Sequence, residues 1–250
     1  MSHYYELLEN GDVIPQHFVE MTTKPGFSRP TRITDVRKWQ KAGRNIYVSV
    51  TTVQSLLDKP ALTAWKIDQH LKQAFDLRKS KFSDNALPEY LKEVKLITQE
   101  ELDKPKDAGT DFHELMQAFV EKKEMDEKDY ALCESVFEHI VEQTGCMEWI
   151  AESNFVRDGY AGQIDLNSDE WMIDLKSKDS ADKMKKKLIY DDHLIQLGAY
   201  RGKSGKRAAN VFVCLDNGQV EFIEHDAKDL DIGYEVFKAL LTAWKLLKSW

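Results

Sequence analysis

An aspartate and a lysine stand two positions apart in the apolar segment WMIDLKSK, residues 171–178. Successive side chains of a β-strand point to opposite faces, so Asp174 and Lys176 are expected on one face. Ile173 and Leu175 then turn toward the core. An ammonium group beside a carboxylate at the end of a buried strand is either an ion pair or part of a reactive site, and other segments of the chain must distinguish the two.

A second aspartate lies in the preceding predicted strand. GQIDL, residues 162–166, puts Asp165 near the end of this strand, and the turn after it returns the chain so that Asp165 can lie beside Asp174. Two partly buried carboxylates repel each other unless one is protonated, a lysine pairs with one, or a cation lies between them. Such oxygen ligands suit Mg²⁺ or Mn²⁺, and the backbone carbonyl of Leu175 could be a further ligand.

Two predicted helices carry further polar candidates. Gly109 and Thr110 resemble a helix start with Thr110 as the N-cap, which puts His113 near the positive helix end, where a neutral imidazole able to bind a metal is favoured. Gln196 and Tyr200 are four residues apart and share one helix face. An amide and a phenol there could hold a lysine, a phosphate or a base.

Glu152, in IAESNFV, lies on the first predicted strand of the sheet. It could face the site and bind a metal through water, and a solvent-facing strand position is the alternative. Each candidate also has an ordinary structural interpretation: a surface ion pair for the acid and lysine, a packed core residue for the histidine, and a helix contact for the glutamine and tyrosine. Their order and spacing taken together favour one shared site.

The ordered motifs resemble the RecB-like branch of the PD-(D/E)xK nuclease superfamily. This branch includes phage exonucleases, the CRISPR-adaptation nucleases and the mitochondrial genome-maintenance exonuclease. The segment 49–67 is similar to the leading helical segment of the phage exonucleases, and the resemblance extends over residues 46–226. The motifs that carry it are GTDFH (109–113), GQID (162–165), IDLK (173–176) and QLGAY (196–200).

The resemblance implies a restriction-endonuclease-like α/β core, with a central mixed sheet flanked by helices and a helical N-terminal region. It implies a Mg²⁺- or Mn²⁺-dependent deoxyribonuclease, an exonuclease acting on single- or double-stranded DNA ends in replication, recombination or repair, with a phage-type role and a recombination or replication protein as a partner. The implied metal ligands are His113, Asp165, Asp174 and the Leu175 carbonyl; Lys176 would be the catalytic lysine, and Gln196, Tyr200, Glu152 and Thr110 accessory or DNA-binding residues.

Two other functions stay open at this point. A structure-selective endonuclease could use the same site, and cleavage of circular single-stranded DNA would identify it. A non-catalytic DNA-binding scaffold is the second alternative. The complete set of histidine, two aspartates and lysine argues against the scaffold, because inactive relatives usually lose an acid or the lysine.

The composition is that of a soluble globular protein, with 42% hydrophobic and 31% charged residues and a net charge of −8. No apolar run approaches the roughly 20 residues of a membrane span, and the start lacks the features of a signal peptide. A cytoplasmic location is therefore expected, in the host if the protein is phage-encoded.

The negative net charge disfavours nucleic-acid binding, yet residues 176–207 carry ten basic against four acidic side chains. Three distant cysteines predict no disulfide, structural zinc or iron–sulfur cluster.

The predicted organisation has two parts. Residues 1–105 are expected to form an irregular and helical N-terminal region that walls a DNA channel, and residues 106–250 the nuclease core. Residues 1–50 contain prolines that interrupt any long element. The core is predicted to contain strands at 149–157, 160–167 and 171–177, helices at 191–201 and 228–249, and a hairpin around Asn217-Gly218.

Overall fold

The computed structural model describes residues 3–21, 26–77 and 87–250, without the side chains of 61, 87–88 and 100–111. The chain divides into two compact units. The first comprises Met1–Leu56 and Leu115–Trp250, and the second Leu57–Glu114. The N-terminal residues therefore belong to the same unit as the central sheet, whereas the sequence predicted a boundary between residues 105 and 106.

The N-terminal part of the first unit contains short strands where the sequence indicated irregular structure. The prolines are compatible with them because Pro15 ends an edge strand and Pro30 ends one strand of a two-stranded ribbon, positions that need no ladder N–H. A parallel bridge between Ser49 and Ala161 joins this region to the central sheet. The elements are β1 (Tyr4–Leu7), β2 (Val13–Pro15), β3 (Phe18–Glu20), β4 (Ser28–Pro30), α1 (Ile33–Lys41), β5 (Ile46–Val48) and α2 (Val50–Gln54).

The second unit is helical. It contains α3 (Pro60–Leu77) and most of α4 (Leu87–Val120), and the Tyr90 hydroxyl donates a hydrogen bond to the Ala74 carbonyl to join the two. Gly109 and Thr110 lie inside α4, so the predicted helix start with Thr110 as N-cap is wrong. A single glycine costs a helix only about 1 kcal/mol, which the helix-forming residues on both sides offset. His113 is consequently not near a helix N-terminus, and that reason for a neutral imidazole is lost.

The central sheet has five strands in the order β10-β9-β8-β7-β6. Strands β8 and β9 pair in parallel and the other pairs are antiparallel, so the expected mixed sheet is confirmed. The predicted hairpin around Asn217-Gly218 joins the last two strands. The strands are β6 (Ile150–Arg157), β7 (Tyr160–Asn167), β8 (Trp171–Lys178), β9 (Arg207–Cys214) and β10 (Val220–His225).

Helices α5 (Glu127–Thr144), α6 (Ala181–Met184), α7 (Asp191–Arg201) and α8 (Ala227–Lys248) flank this sheet, as expected. The buried rings of Tyr160 and Phe237 lie 4.6 Å apart and join β7 to α8. Two glycines let α7 and α8 approach closely, since a Cβ at Gly198 would lie 2.5 Å from the Leu230 carbonyl oxygen. This contact fixes α7 over the sheet. Within the described ranges, no helix is both long and apolar enough to cross a membrane.

Candidate active site

Strands β7 and β8 separate at the predicted site. Their backbone pairing ends at Leu166 and Ile173, so Asp165 and Asp174, which come next in the register, are not a ladder pair. The Asp165 carboxylate fills the gap: its Oδ2 accepts a hydrogen bond of 2.7 Å from the backbone N–H of Leu175. The side chain of Asp165 thus replaces a backbone acceptor, which brings it beside the DLK segment in a fixed orientation.

Glu152 faces Asp165 across the neighbouring strand pair. The ladder between β6 and β7 is interrupted where these two residues oppose each other, and one carboxylate oxygen of each lies within 4.8 Å of the other. Glu152 has a φ of 50°, in the left-handed region that glutamate rarely adopts. Such a conformation costs about 1–3 kcal/mol and is concentrated at functional sites.

Asp174 and Lys176 share one strand face, as the alternation predicted. The Lys176 Nζ lies 2.5 Å from Oδ2 of Asp174, whose side chain is 2% exposed. Burial by itself lowers the pKa of Lys176, but the negative charges of Asp174 and Asp165 outweigh burial and raise this pKa. The lysine is therefore protonated at neutral pH. On the opposite face, Ile173 and Leu175 are buried as predicted.

Gln196 and Tyr200 form the pair that their spacing predicted. The Gln196 amide donates a hydrogen bond of 2.9 Å to the Tyr200 hydroxyl. Burial, followed by the charges of Asp174 and Asp165, raises the pKa of Tyr200 well above its usual range, so the buried phenol stays protonated next to these carboxylates. Gly162 of the GQID motif leaves room for this ring, since an added Cβ would lie 3.0 Å from its Cε1.

The remaining predicted residues lie on α4. His113 is half-buried and belongs to the second unit, with its ring centroid 6.3 Å from that of Phe112 in an edge-on arrangement. The side chain of Thr110 lies outside the described residues.

Sequence reasoning missed two aromatic residues near these groups. Tyr5 of β1 is buried, and burial together with the charges of Glu152 and Asp165 raises its pKa above the usual range. Nothing in the sequence around Tyr5 indicates this location. His193, at the start of α7, has a pKa lowered to about 4 by burial and then by the charge of Lys176, so its imidazole is neutral. His193 is three residues before Gln196 and on the same helix face, and this spacing could have identified it as a neighbour of the site.

Two other missed residues, Asn210 and His225, lie behind Asp174. The Asn210 amide donates a hydrogen bond of 2.6 Å to Oδ2 of Asp174, and His225 contacts the Asn210 oxygen. Asn210 is fully buried in the otherwise apolar strand segment AANVFV. A polar side chain in such a strand requires a hydrogen-bond partner, and this requirement is the signal by which the sequence could have identified it.

The basic stretch at residues 176–207 contains both exposed and partly buried lysines. Lys183 and Lys185 form exposed ion pairs with Asp179 and Asp182, at 2.7 and 3.0 Å. Lys178 is partly buried, and burial followed by the charge of Lys176 lowers its pKa. Lys176 and Lys178 are two residues apart on β8 and share one strand face.

The donor atoms fit a small, hard cation. Two oxygens bound to one Mg²⁺ or Ca²⁺ are at most about 4–5 Å apart, given metal–oxygen distances of 2.0–2.6 Å. The Glu152 and Asp165 oxygens satisfy this limit. Carboxylate-rich ligand sets favour Mg²⁺ and Mn²⁺ over softer metals.

No protein-family model matches this chain, and no curated protein sequence matches it. Among solved structures, the chain is similar to an alkaline exonuclease, LHK-Exo from Laribacter hongkongensis, with 14% identity and a TM-score of 0.36 over 51% of this chain and 73% of that one. It is also similar to SSO0001, with 14% identity and a TM-score of 0.32 over 70% and 86% of the two chains.

Proposed function

We propose that this protein is a metal-dependent deoxyribonuclease that hydrolyses phosphodiester bonds at DNA ends. The observation that carries the proposal is the separation of β7 and β8, which brings Asp165 beside the Asp174–Lys176 pair on one face of the sheet. A structural ion pair needs one acid for the lysine. Here Glu152 and Asp165 add two carboxylates, and a cation would offset their charge.

The proposed cofactor is Mg²⁺ or Mn²⁺, held by Glu152 and Asp165, whose oxygens lie close enough for one ion, and by Asp174, as its place in the IDLK motif implies. His113 would add an imidazole nitrogen, as its place in the GTDFH motif implies. The Leu175 carbonyl is a further candidate ligand. Such a cation, when bound, lowers the pKa of a coordinated water and neutralises charge on a phosphate.

The protein's own groups have separable tasks in this proposal. The Lys176 ammonium, oriented by Asp174, would hold the attacking water and stabilise negative charge that develops on the phosphate. The Tyr200 hydroxyl is protonated and accepts a hydrogen bond from Gln196, which leaves its own proton to be donated. It would donate this proton to a carboxylate near Lys176 or to DNA. The products expected from the resemblance are 5′-phosphate and 3′-hydroxyl ends.

The biological setting stays a prediction from the resemblance. It comprises DNA replication, recombination or repair, a phage-type role, and a recombination or replication protein as a partner. As the sequence predicts, residues 1–105 would form the wall of a DNA channel and residues 106–250 the nuclease core. An endonuclease acting on DNA structures is the second candidate, since the same groups would cut an internal bond.

Digestion of end-labelled single- and double-stranded oligonucleotides, with Mg²⁺, Mn²⁺ or EDTA, tests the proposal. We expect metal-dependent release of nucleotides from linear DNA, intact circular single-stranded DNA, and loss of cleavage but not of DNA binding in Lys176→Ala. Lys185→Ala is the matched control, because this lysine is exposed and should leave the rate unchanged. Cleaved circles would identify an endonuclease, and no cleavage with either metal would refute the proposal.

A further inference from the structure

A chain of hydrogen bonds crosses three strands behind Asp174. The Asn210 Nδ2 lies 2.6 Å from Oδ2 of Asp174, and the His225 Nε2 lies 2.8 Å from Oδ1 of Asn210. The sheet register produces this alignment: Asp174 and Asn210 are parallel partners, and His225 is two residues beyond Ile223, the antiparallel partner of Asn210. Residues two apart share a strand face, so the three side chains lie in one row.

The donors and acceptors of these two hydrogen bonds follow one direction, from His225 through Asn210 to Asp174. An ionised carboxylate only accepts hydrogen bonds, so the amide nitrogen of Asn210 faces Asp174 and its oxygen faces His225. His225 must therefore donate from Nε2. If this donor were absent, the buried oxygen of the Asn210 amide would lose its hydrogen-bond partner, and an amide turned to find another would place that oxygen against the charge of Asp174. Because Asn210 is fully buried, water cannot replace either partner.

We propose that Asn210 and His225 are positioning residues that hold the Asp174 carboxylate in its metal-binding orientation. This inference rests on the proposed function. Two donors, Asn210 and Lys176, converge on the same oxygen of Asp174, Oδ2. Their convergence fixes the rotation of the carboxylate and hence the direction of Oδ1, the oxygen that we assign to the cation.

Two substitutions separate this role from simple packing. Asn210→Ala removes the donor to Asp174 and should weaken metal binding about 10–100-fold, as loss of an outer-shell partner usually does. His225→Phe keeps a ring but removes the Nε2 donor, and should weaken binding in the same direction by a smaller factor. His225→Gln returns an N–H donor and should recover part of the affinity.

Calorimetric titration of the full-length protein with Mn²⁺, alongside its thermal unfolding, is the test. Tyr234→Phe is the matched control because it also removes one hydrogen bond to a carboxylate, the 2.7 Å bond to Asp158, away from the site. We expect weaker Mn²⁺ binding in Asn210→Ala and His225→Phe, recovery in His225→Gln, and wild-type affinity in the control.

Affinity within twofold of wild type in both Asn210→Ala and His225→Phe would overturn the inference, even if stability fell, and would leave the proposed nuclease function intact. If Asn210→Ala weakened Mn²⁺ binding and His225→Phe did not, His225 would have no positioning role. Absence of Mn²⁺ uptake by the wild-type protein would instead refute the proposed function, on which this inference rests.

Discussion

Replacing Asp174 with alanine should have separable effects on stability and on cleavage. It leaves the Lys176 ammonium without its closest carboxylate, and breaking a buried pair in this way costs about 3–5 kcal/mol. Since the Lys176 side chain is 28% exposed and Asp165 also stabilises its charge, we expect about 2 kcal/mol from this source. The orphaned amide of buried Asn210 adds about 1 kcal/mol, for a total of about 3 kcal/mol.

The double variant Asp174→Ala, Lys176→Met distinguishes the two roles of this pair. It removes the unpaired ammonium and keeps apolar volume, so urea unfolding should show recovery of about 2 kcal/mol. Cleavage of labelled DNA should stay at background in both the single and the double variant. Asp182→Ala, which breaks an exposed pair with Lys185, should cost under about 0.5 kcal/mol.

Two results would refute this reasoning about the pair. If the double variant were no more stable than the single one, Lys176 would not depend on Asp174 for its charge. If Asp174→Ala kept wild-type cleavage, the pair would be structural and the proposed site would be wrong.

Two further predictions concern packing and acid stability. Gly162→Ala should lower cleavage by displacing the Tyr200 ring, because the new Cβ would lie 3.0 Å from Tyr200 Cε1 and 2.7 Å from Cε1 of Phe155, which blocks a shift toward that side; unchanged activity and an unchanged Tyr200 environment would contradict this. The Arg29 guanidinium hydrogen-bonds Asp35 and lowers the pKa of this carboxyl from 3.8 to about 2. The resulting stability is present above pH 4 and is lost as the pH falls toward 2, so Asp35→Asn should flatten the pH dependence of unfolding in this window, and an unaltered profile would contradict the assignment.

The sequence predicted the site best where local rules apply. Alternation put Asp174 and Lys176 on one strand face, and the turn after GQIDL put Asp165 next to them, because a hairpin register depends only on nearby residues. The i, i+4 rule likewise predicted the Gln196–Tyr200 contact. These features needed no knowledge of distant packing.

The other features depend on contacts between distant segments. The row from Asp174 through Asn210 to His225 follows from a parallel register between β8 and β9, which are joined through two helices and whose alignment no local pattern specifies. The left-handed conformation of Glu152 is enforced by its surroundings against its own preference. The burial of Tyr5 beside the carboxylates required strands in a segment whose prolines indicated irregular structure.

The start of the GTDFH segment was mispredicted for a different reason. A glycine followed by a threonine is typical of a helix start, yet the same residues are tolerated inside a long helix when both flanks are helical. Local propensity could not distinguish these cases. The motif nevertheless keeps His113 as a ligand candidate, because the resemblance does not depend on where the helix begins.

The proposed binding of one cation by these carboxylates is tested most directly by anomalous diffraction from crystals grown with Mn²⁺. The account predicts a single strong peak at about 2.2 Å from carboxylate oxygens of Glu152, Asp165 and Asp174, the usual distance for such a metal–oxygen bond. A Mn²⁺ peak elsewhere, or none at these residues at saturating metal, would contradict the account.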